Sequence, residues 1–174
     1  MVMEFDQVLA QRKSIRSFTK EPVSQEDIDA LFQAAQSASV GKHNDKGYIL
    51  LSVTDPELLA LIDKEATEKL GKPHMFFQAP ALLFICETSN AYDHLKGFDA
   101  GIIAEHIHLK ATDMGLGSVI LFGFIHHLGH EADYVKALDL PEGVYPYLAV
   151  AVGHSPVAHK ERKENRHFEI LTRK

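Results

Sequence analysis

Residues 12–18 place three cations, Arg12, Lys13 and Arg16, and two hydroxyls, Ser14 and Ser17, in seven consecutive positions of a chain whose net charge is −6. A guanidinium fork matches phosphate oxygens, an ammonium adds a point charge, and a serine hydroxyl turns to donate or accept. The stretch is therefore suited to hold an anion such as a phosphate group, although the same residues also describe a solvated basic loop. Two other polar segments can contribute. The loop from Gln36 to Gly47 carries Ser37, Ser39, His43 and Asn44 and is a candidate binding wall, and the tail beyond Gly153 carries Lys160, Arg162, Lys163, Arg166, Arg173 and Lys174.

The remaining reactive residue types point to less. Cys86 lies in the apolar run Ala81–Cys86, which makes it a core residue and, as the one cysteine, excludes an intrachain disulfide. Eleven histidines raise the question of a metal. His126 and His130 are four apart and can meet on one helix face, with His127 between them, but no cysteine or carboxylate spacing completes a zinc pattern, so no metal site is expected. His106 and His108 are two apart on a predicted helix and point to different faces, one at the core edge and one at the surface. Phe122 and Phe124 border either a pocket or the core.

The elements that must position these residues alternate between helix and strand. A short helix covers Glu4 to Ala10, and the basic loop runs on to Pro22. Ser24 with Asp27 opens a second helix, whose apolar residues Ile28, Leu31, Phe32 and Ala35 share one face. Tyr48 to Val53 reads as a strand. Asp55-Pro56 then supplies an N-cap and a first-turn proline for a helix to Leu70, stopped by Gly71 and Pro73. The unbroken apolar run of Ala81 to Glu87 suits a central strand. The longest helix is expected over Phe98 to Met114, with Ala100, Ile103, Ala104, Ile107, Ala111 and Met114 as its buried stripe. A strand over Ser118 to Phe122, a helix over Leu128 to Leu138, a turn at Pro141-Glu142-Gly143 and a strand over Tyr145 to Val152 complete the order.

Composition sets the class. With 174 residues, 45% hydrophobic and 24% charged, the chain is expected to form one globular domain over residues 1–174. Net acidity and a pI near 6.0 argue against a protein that coats nucleic acid or anionic membrane. The start Met1-Val2-Met3-Glu4-Phe5-Asp6 lacks a secretory pattern, and no apolar stretch approaches the roughly 18 residues of a membrane span. A soluble, cytoplasmic protein is the expectation.

The order of these segments resembles the nitroreductase-like flavoproteins, small FMN enzymes. Arg12, Ser14, Arg16 and Phe18, followed by Pro22, match the Arg-x-Ser-x-Arg-x-Phe motif with which that family opens. Ala34-Ala35 and the loop through Asn44 follow the family pattern up to Lys46-Gly47-Tyr48, which stands where the family tends to have Gln-Pro-Trp. Asp99 to Gly117 resembles the long helix that ends in Gly-Leu-Gly. Gly153-His154-Ser155-Pro156 looks like the Gly-Tyr-Pro segment, after which the family's basic residue falls at Arg162, with Arg166 the other choice.

The resemblance implies an α+β fold, a mainly antiparallel central sheet flanked by helices, assembled as a homodimer with FMN at the interface and with residues 154–174 extending to the partner subunit. It implies FMN contacts from Arg12, Lys13, Ser14, Arg16, Ser39 (or Ser37), Asn44, Ile120, Leu121, Gly123 and Arg162, with Lys13 or Arg16 facing the N1 edge of the ring. No side-chain nucleophile is needed, because the flavin carries the chemistry. The implied activity is ping-pong hydride transfer from NADH or NADPH to nitro compounds, quinones or similar small electrophiles. The alternatives are an FMN-dependent dehalogenase or metabolite oxidase of the same fold, and a flavin- or phosphate-binding regulatory module without turnover.

Overall fold

The structure, a computed structural model, describes residues 3–157, 161 and 168–173. Strand β2, Ala81–Glu87, is buried along its whole length, so it needs neighbours on both edges and cover on both faces. It has them. Strands β1 (Tyr48–Val53), β2, β4 (Tyr145–Gly153) and β3 (Gly117–Leu121) form one antiparallel sheet in the order β1-β2-β4-β3. Two-residue alternation then divides the side chains. Ala81, Leu83 and Ile85 face helices α2 (Gln25–Gln36) and α4 (Lys96–Asp113), while Leu82, Phe84 and Cys86 face helices α3 (Pro56–Leu70), α5 (Gly123–Leu128) and α6 (Asp133–Ala137). Helix α1, Phe5–Gln11, packs against α4.

The helix boundaries follow from their caps. Ser24 Oγ accepts from the Asp27 N–H at 3.1 Å and donates to its carboxylate at 2.7 Å, which fixes the start of α2. Asp55 accepts from the Glu57 N–H ahead of Pro56, and Gly71, at φ 66, ends α3 in the left-handed conformation that a glycine adopts without strain. The expected stripe of α4 is buried at Ala100, Ile103, Ala104, Ile107 and Ala111.

One buried carboxylate joins the helices of the second face. Glu65 on α3 accepts from Lys69 and from the N–H groups of Asp133 and Tyr134, both at 2.8 Å, so it caps α6 from a neighbouring helix. Burial opposes its ionisation, but these bonds outweigh it and hold the carboxyl below its ordinary pKa.

The expected helix from Leu128 to Leu138 is two helices. Gly129, at φ 74, interrupts the chain, and α5 begins earlier, at Gly123 directly after β3. Phe122 thereby leaves the strand and precedes a helix. Its expected companion Phe124 is buried in the core. The break also separates the histidines: His126 stacks on Phe122 with ring centroids 5.0 Å apart, whereas His130 stacks on Tyr145 at 4.1 Å. Among the described residues no helix is long and apolar enough to cross a membrane.

Candidate functional site

Two cross-strand glycines seat the cationic segment. Gly117 on β3 lies opposite Gly153 on β4. A Cβ built on Gly117 would stand 2.9 Å from Ile15 Cγ2, and one on Gly153 would stand 2.9 Å from Phe18 Cδ1 and 2.6 Å from Pro80 Cδ. The missing side chains leave a flat patch at the sheet corner, and Ile15 and Phe18 lie down on it. Backbone bonds pin the ends: the Ile15 N–H donates to the Ser118 carbonyl at 2.9 Å and the Thr19 N–H to the His154 carbonyl at 2.9 Å. With Ile15 buried below, Ser14 and Arg16 are exposed.

The donors of this segment have unequal partners. Arg12 Nη1 lies 2.8 Å from His108 Nε2, and Nε lies 3.6 Å from Glu105 Oε1. Arg16 rests 5.9 Å from the centroid of the Phe77 ring. Ser14 forms a parallel bridge with Ser118, and among the described residues no hydrogen bond engages its hydroxyl or the Arg16 guanidinium. Lys13 is half-buried. His108, read from the sequence as a core-edge or surface residue, is 1% exposed and lies between Arg12 and Ser118 Oγ, at 2.5 Å from the latter. His106 instead donates to the Ala34 carbonyl at 3.1 Å.

Strand β3 offers backbone as well. Ser118 turns its carbonyl away from β4 to Ile15, and the alternation of an antiparallel ladder points the amide groups of Ile120 the same way. No described residue beyond the sheet gives Ile120 a backbone partner. Leu121, one residue on, is buried toward α5. Gly123 starts α5 with open space where its Cβ would be.

The Ser39 and Asn44 loop is elsewhere. It ends in two short 3-10 turns, Gly41–His43 and Asp45–Gly47, and enters β1 at the opposite edge of the sheet from β3. Three strand spacings separate those edges, about 14 Å. Tyr48 also pairs with Glu87 and through it with Tyr145, at the other end of the strands from Gly117 and Gly153. One copy of the chain therefore holds Arg12 and Asn44 at diagonal corners and does not bring them together.

Buried Asp99 on α4 fixes this second corner, accepting from the Gly41 N–H at 2.8 Å and the Tyr48 hydroxyl at 2.9 Å. Burial, reinforced by that hydrogen bond, raises the Tyr48 pKa. Asn44 donates from Nδ2 to the Asn90 carbonyl at 2.7 Å, which ties the loop to the β2–α4 connection. The Ser37 hydroxyl is occupied by the Gln33 carbonyl at 3.3 Å, and Ser39 is exposed and makes no such bond among the described residues. Arg162 lies outside the described residues, as does Arg166.

Past the end of β3 the surface opens into a cavity of about 570 Å³ bordered by Glu87, Lys96, Phe122, His126, His130 and Tyr147. Lys96 Nζ lies 2.8 Å from Glu87 Oε2 and 3.3 Å from Asp93, and these partners, Glu87 first, raise its pKa. No group of three or more metal-ligating side chains occurs among the described residues. Burial pushes the Cys86 thiol up to about 12, far from a reactive thiolate.

Sequence reasoning passed over Asp99 and gave His108 no role beyond a core-edge or surface place. Their signal was present: both fall on the apolar stripe of α4, at 99-103-107 and 104-108-111, where a polar side chain needs a buried partner.

An antiparallel sheet between two helical layers, with a cationic segment seated on its edge strand, defines an α+β protein. The profile of the nitroreductase family matches residues 9–66 and 41–154, and the chain belongs to that family. It is 30% identical over 166 residues to the FMN reductase (NAD(P)H) of Bacillus subtilis strain 168, across 84% of this chain and 64% of the relative. It is 28% identical over 160 residues to an NADPH-dependent oxidoreductase of Staphylococcus aureus strain USA300, across 80% and 60% of the two chains. The chain thus spans less than two thirds of the length of these curated relatives. Among solved structures, NfrA2 of B. megaterium superposes with a TM-score of 0.75 at 29% identity, covering 98% of this chain and 76% of that one. A nitroreductase with bound FMN from Desulfitobacterium hafniense DCB-2 superposes at 0.81 with 22% identity, over 98% and 100%, a likeness of fold.

Proposed function

We propose that this chain is an FMN-dependent oxidoreductase that uses NADH or NADPH to reduce nitro compounds, quinones or similar small electrophiles in the cytoplasm. The observation that carries the reading is the Arg12–Phe18 segment, seated on the glycine pair with Ser14 and Arg16 left open at the sheet edge. The residues fit FMN. A phosphate monoester needs two or more charge-assisted donors, and Arg12, Lys13, Ser14 and Arg16 supply them within five consecutive positions. A flavin ring edge needs fixed amide donors and acceptors, and the outward peptide groups of Ile120 supply those. The chemistry FMN supplies when bound is two-electron transfer between the nicotinamide and the acceptor, taken in ping-pong order.

The protein's own part is placement. Arg12 and Ser14 would hold the phosphate, Arg16 or Lys13 would donate at the N1 edge, and the backbone from Leu121 to Gly123 would continue the wall beyond Ile120. The cavity beside Phe122 gives a small acceptor room. Ser39 and Asn44 belong to the same site only when a second copy presents its β1 corner to the β3 corner of the first, so the working unit is a homodimer with two sites. Exposed Phe98 and Ile102 on α4, and Phe168, Ile170 and Leu171 in the tail, support an interface of that kind. Arg162, in the 154–174 extension of a single 1–174 domain, adds a cation from the tail.

Purified protein should be yellow, release FMN on denaturation, and bleach when NADH or NADPH is added without oxygen. Arg12→Ala should weaken FMN binding on the order of tenfold to a hundredfold, the range of a lost charge-assisted bond, whereas exposed Arg173→Ala should change it by less than about twofold. Colourless protein that refuses added FMN, or equal affinities for the two variants, would overturn the assignment.

A further inference from the structure

We propose that His108 is a positioning residue for anion capture, a neutral imidazole that aims the Arg12 guanidinium without cancelling its charge. The proposal rests on the reading of Arg12–Phe18 as the phosphate seat. A guanidinium has no acceptor, so the 2.8 Å contact between Arg12 Nη1 and His108 Nε2 requires the nitrogen lone pair on Nε2. The ring proton then sits on Nδ1 and donates to Ser118 Oγ. Arg12 alone selects this tautomer, and the Ser118 hydroxyl accommodates it as acceptor.

The ring cannot take a second proton without turning an N–H toward the guanidinium. Burial, and next the charge of Arg12, push its pKa down to about 4, so at neutral pH it remains an acceptor. A carboxylate at this buried position would pair with Arg12 and neutralise it. Glu105, the carboxylate near Arg12, is 44% exposed, where solvent screens the attraction. With Nε toward Glu105 and Nη1 toward His108, Nη2 makes no hydrogen bond to a described residue and can turn to a ligand oxygen. Ser118 closes the unit by holding the segment twice, through its carbonyl to the Ile15 N–H and through its hydroxyl to His108.

The test compares FMN with riboflavin, which lacks the phosphate, by fluorescence titration of the purified protein at pH 7. His108→Leu should weaken FMN on the order of tenfold and riboflavin by less than about twofold, because only the phosphate-directed charge is disoriented. His108→Gln, whose amide accepts from Arg12 and donates to Ser118, should bring FMN back to within about threefold of wild type. Unchanged FMN affinity in His108→Leu, or equal losses for both ligands, overturns the proposal. Should His108→Leu fail to fold, Ser118→Ala, which removes only the acceptor of the Nδ1 proton, should give the same FMN-selective loss at about threefold, and the absence of that loss overturns the proposal equally. Arg12→Ala separates the two claims. If it leaves the FMN-to-riboflavin preference intact, the phosphate seat itself is misplaced; if it removes the preference and His108→Leu does not, only the role of His108 falls.

Discussion

Gly153→Ala should both destabilise the protein and loosen its hold on FMN, from the addition of a single methyl group. The new Cβ would lie 2.6 Å from Pro80 Cδ and 2.9 Å from Phe18 Cδ1, well inside contact distance. Pro80 immediately precedes buried β2 and has little room to retreat, so the strain falls on Phe18 and on the Thr19–His154 bond beside it. Overpacking of this kind costs about 1 to 3 kcal/mol. Gly117→Ala should act from the other side of the same pair, through Ile15. Urea denaturation reads the first effect and FMN titration the second. Wild-type stability and affinity in both variants would mean that the segment is held by something other than its glycine seat.

The second large effect is a loss of stability in acid that depends on one residue. An unfolded histidine takes its proton near pH 6.5, whereas folded His108 resists it until about pH 4, because of its burial first and Arg12 second. Between those values the unfolded chain binds the extra proton, so stability falls as pH falls through the window and levels off below it. The whole contribution is about 3 kcal/mol. The difference between wild type and His108→Gln isolates it from the carboxylates, which titrate in both proteins. Urea midpoints at pH 7, 5.5 and 4.5 should show that difference shrinking in favour of the variant as the solution becomes more acidic. A constant difference would place His108 in contact with solvent, contrary to its burial.

The sequence carried the parts of this fold that are set locally. Asp55-Pro56 and Gly71 marked both ends of α3, and the run from Ala81 announced a strand that must lie inside a sheet. It misled where two periodicities overlap. Leu128, Ala132, Val135 and Leu138 are spaced as on one helix, and this pattern hid the turn that Gly129 makes between α5 and α6. The cationic segment was legible as composition, but its support was not. Gly117 and Gly153 are far apart in the chain, and nothing local states that they become neighbours on adjacent strands. The same limit applied to Ser39 and Asn44, whose distance from Arg12 is a property of strand order. Asp99 and His108 are the instructive misses, since the stripe that located the buried face of α4 ran through both.

The diagonal placement of the Arg12 and Asn44 corners changes what a defective chain can do in company. In the proposed homodimer each site takes its phosphate seat from one copy and its β1 loop from the other. A copy disabled at Arg12, paired with a copy disabled at Asn44, concentrates both lesions in one site and leaves the second site wholly intact. Two alleles that are each inactive alone would then complement one another in a mixed pair, with half of the sites in each hybrid restored.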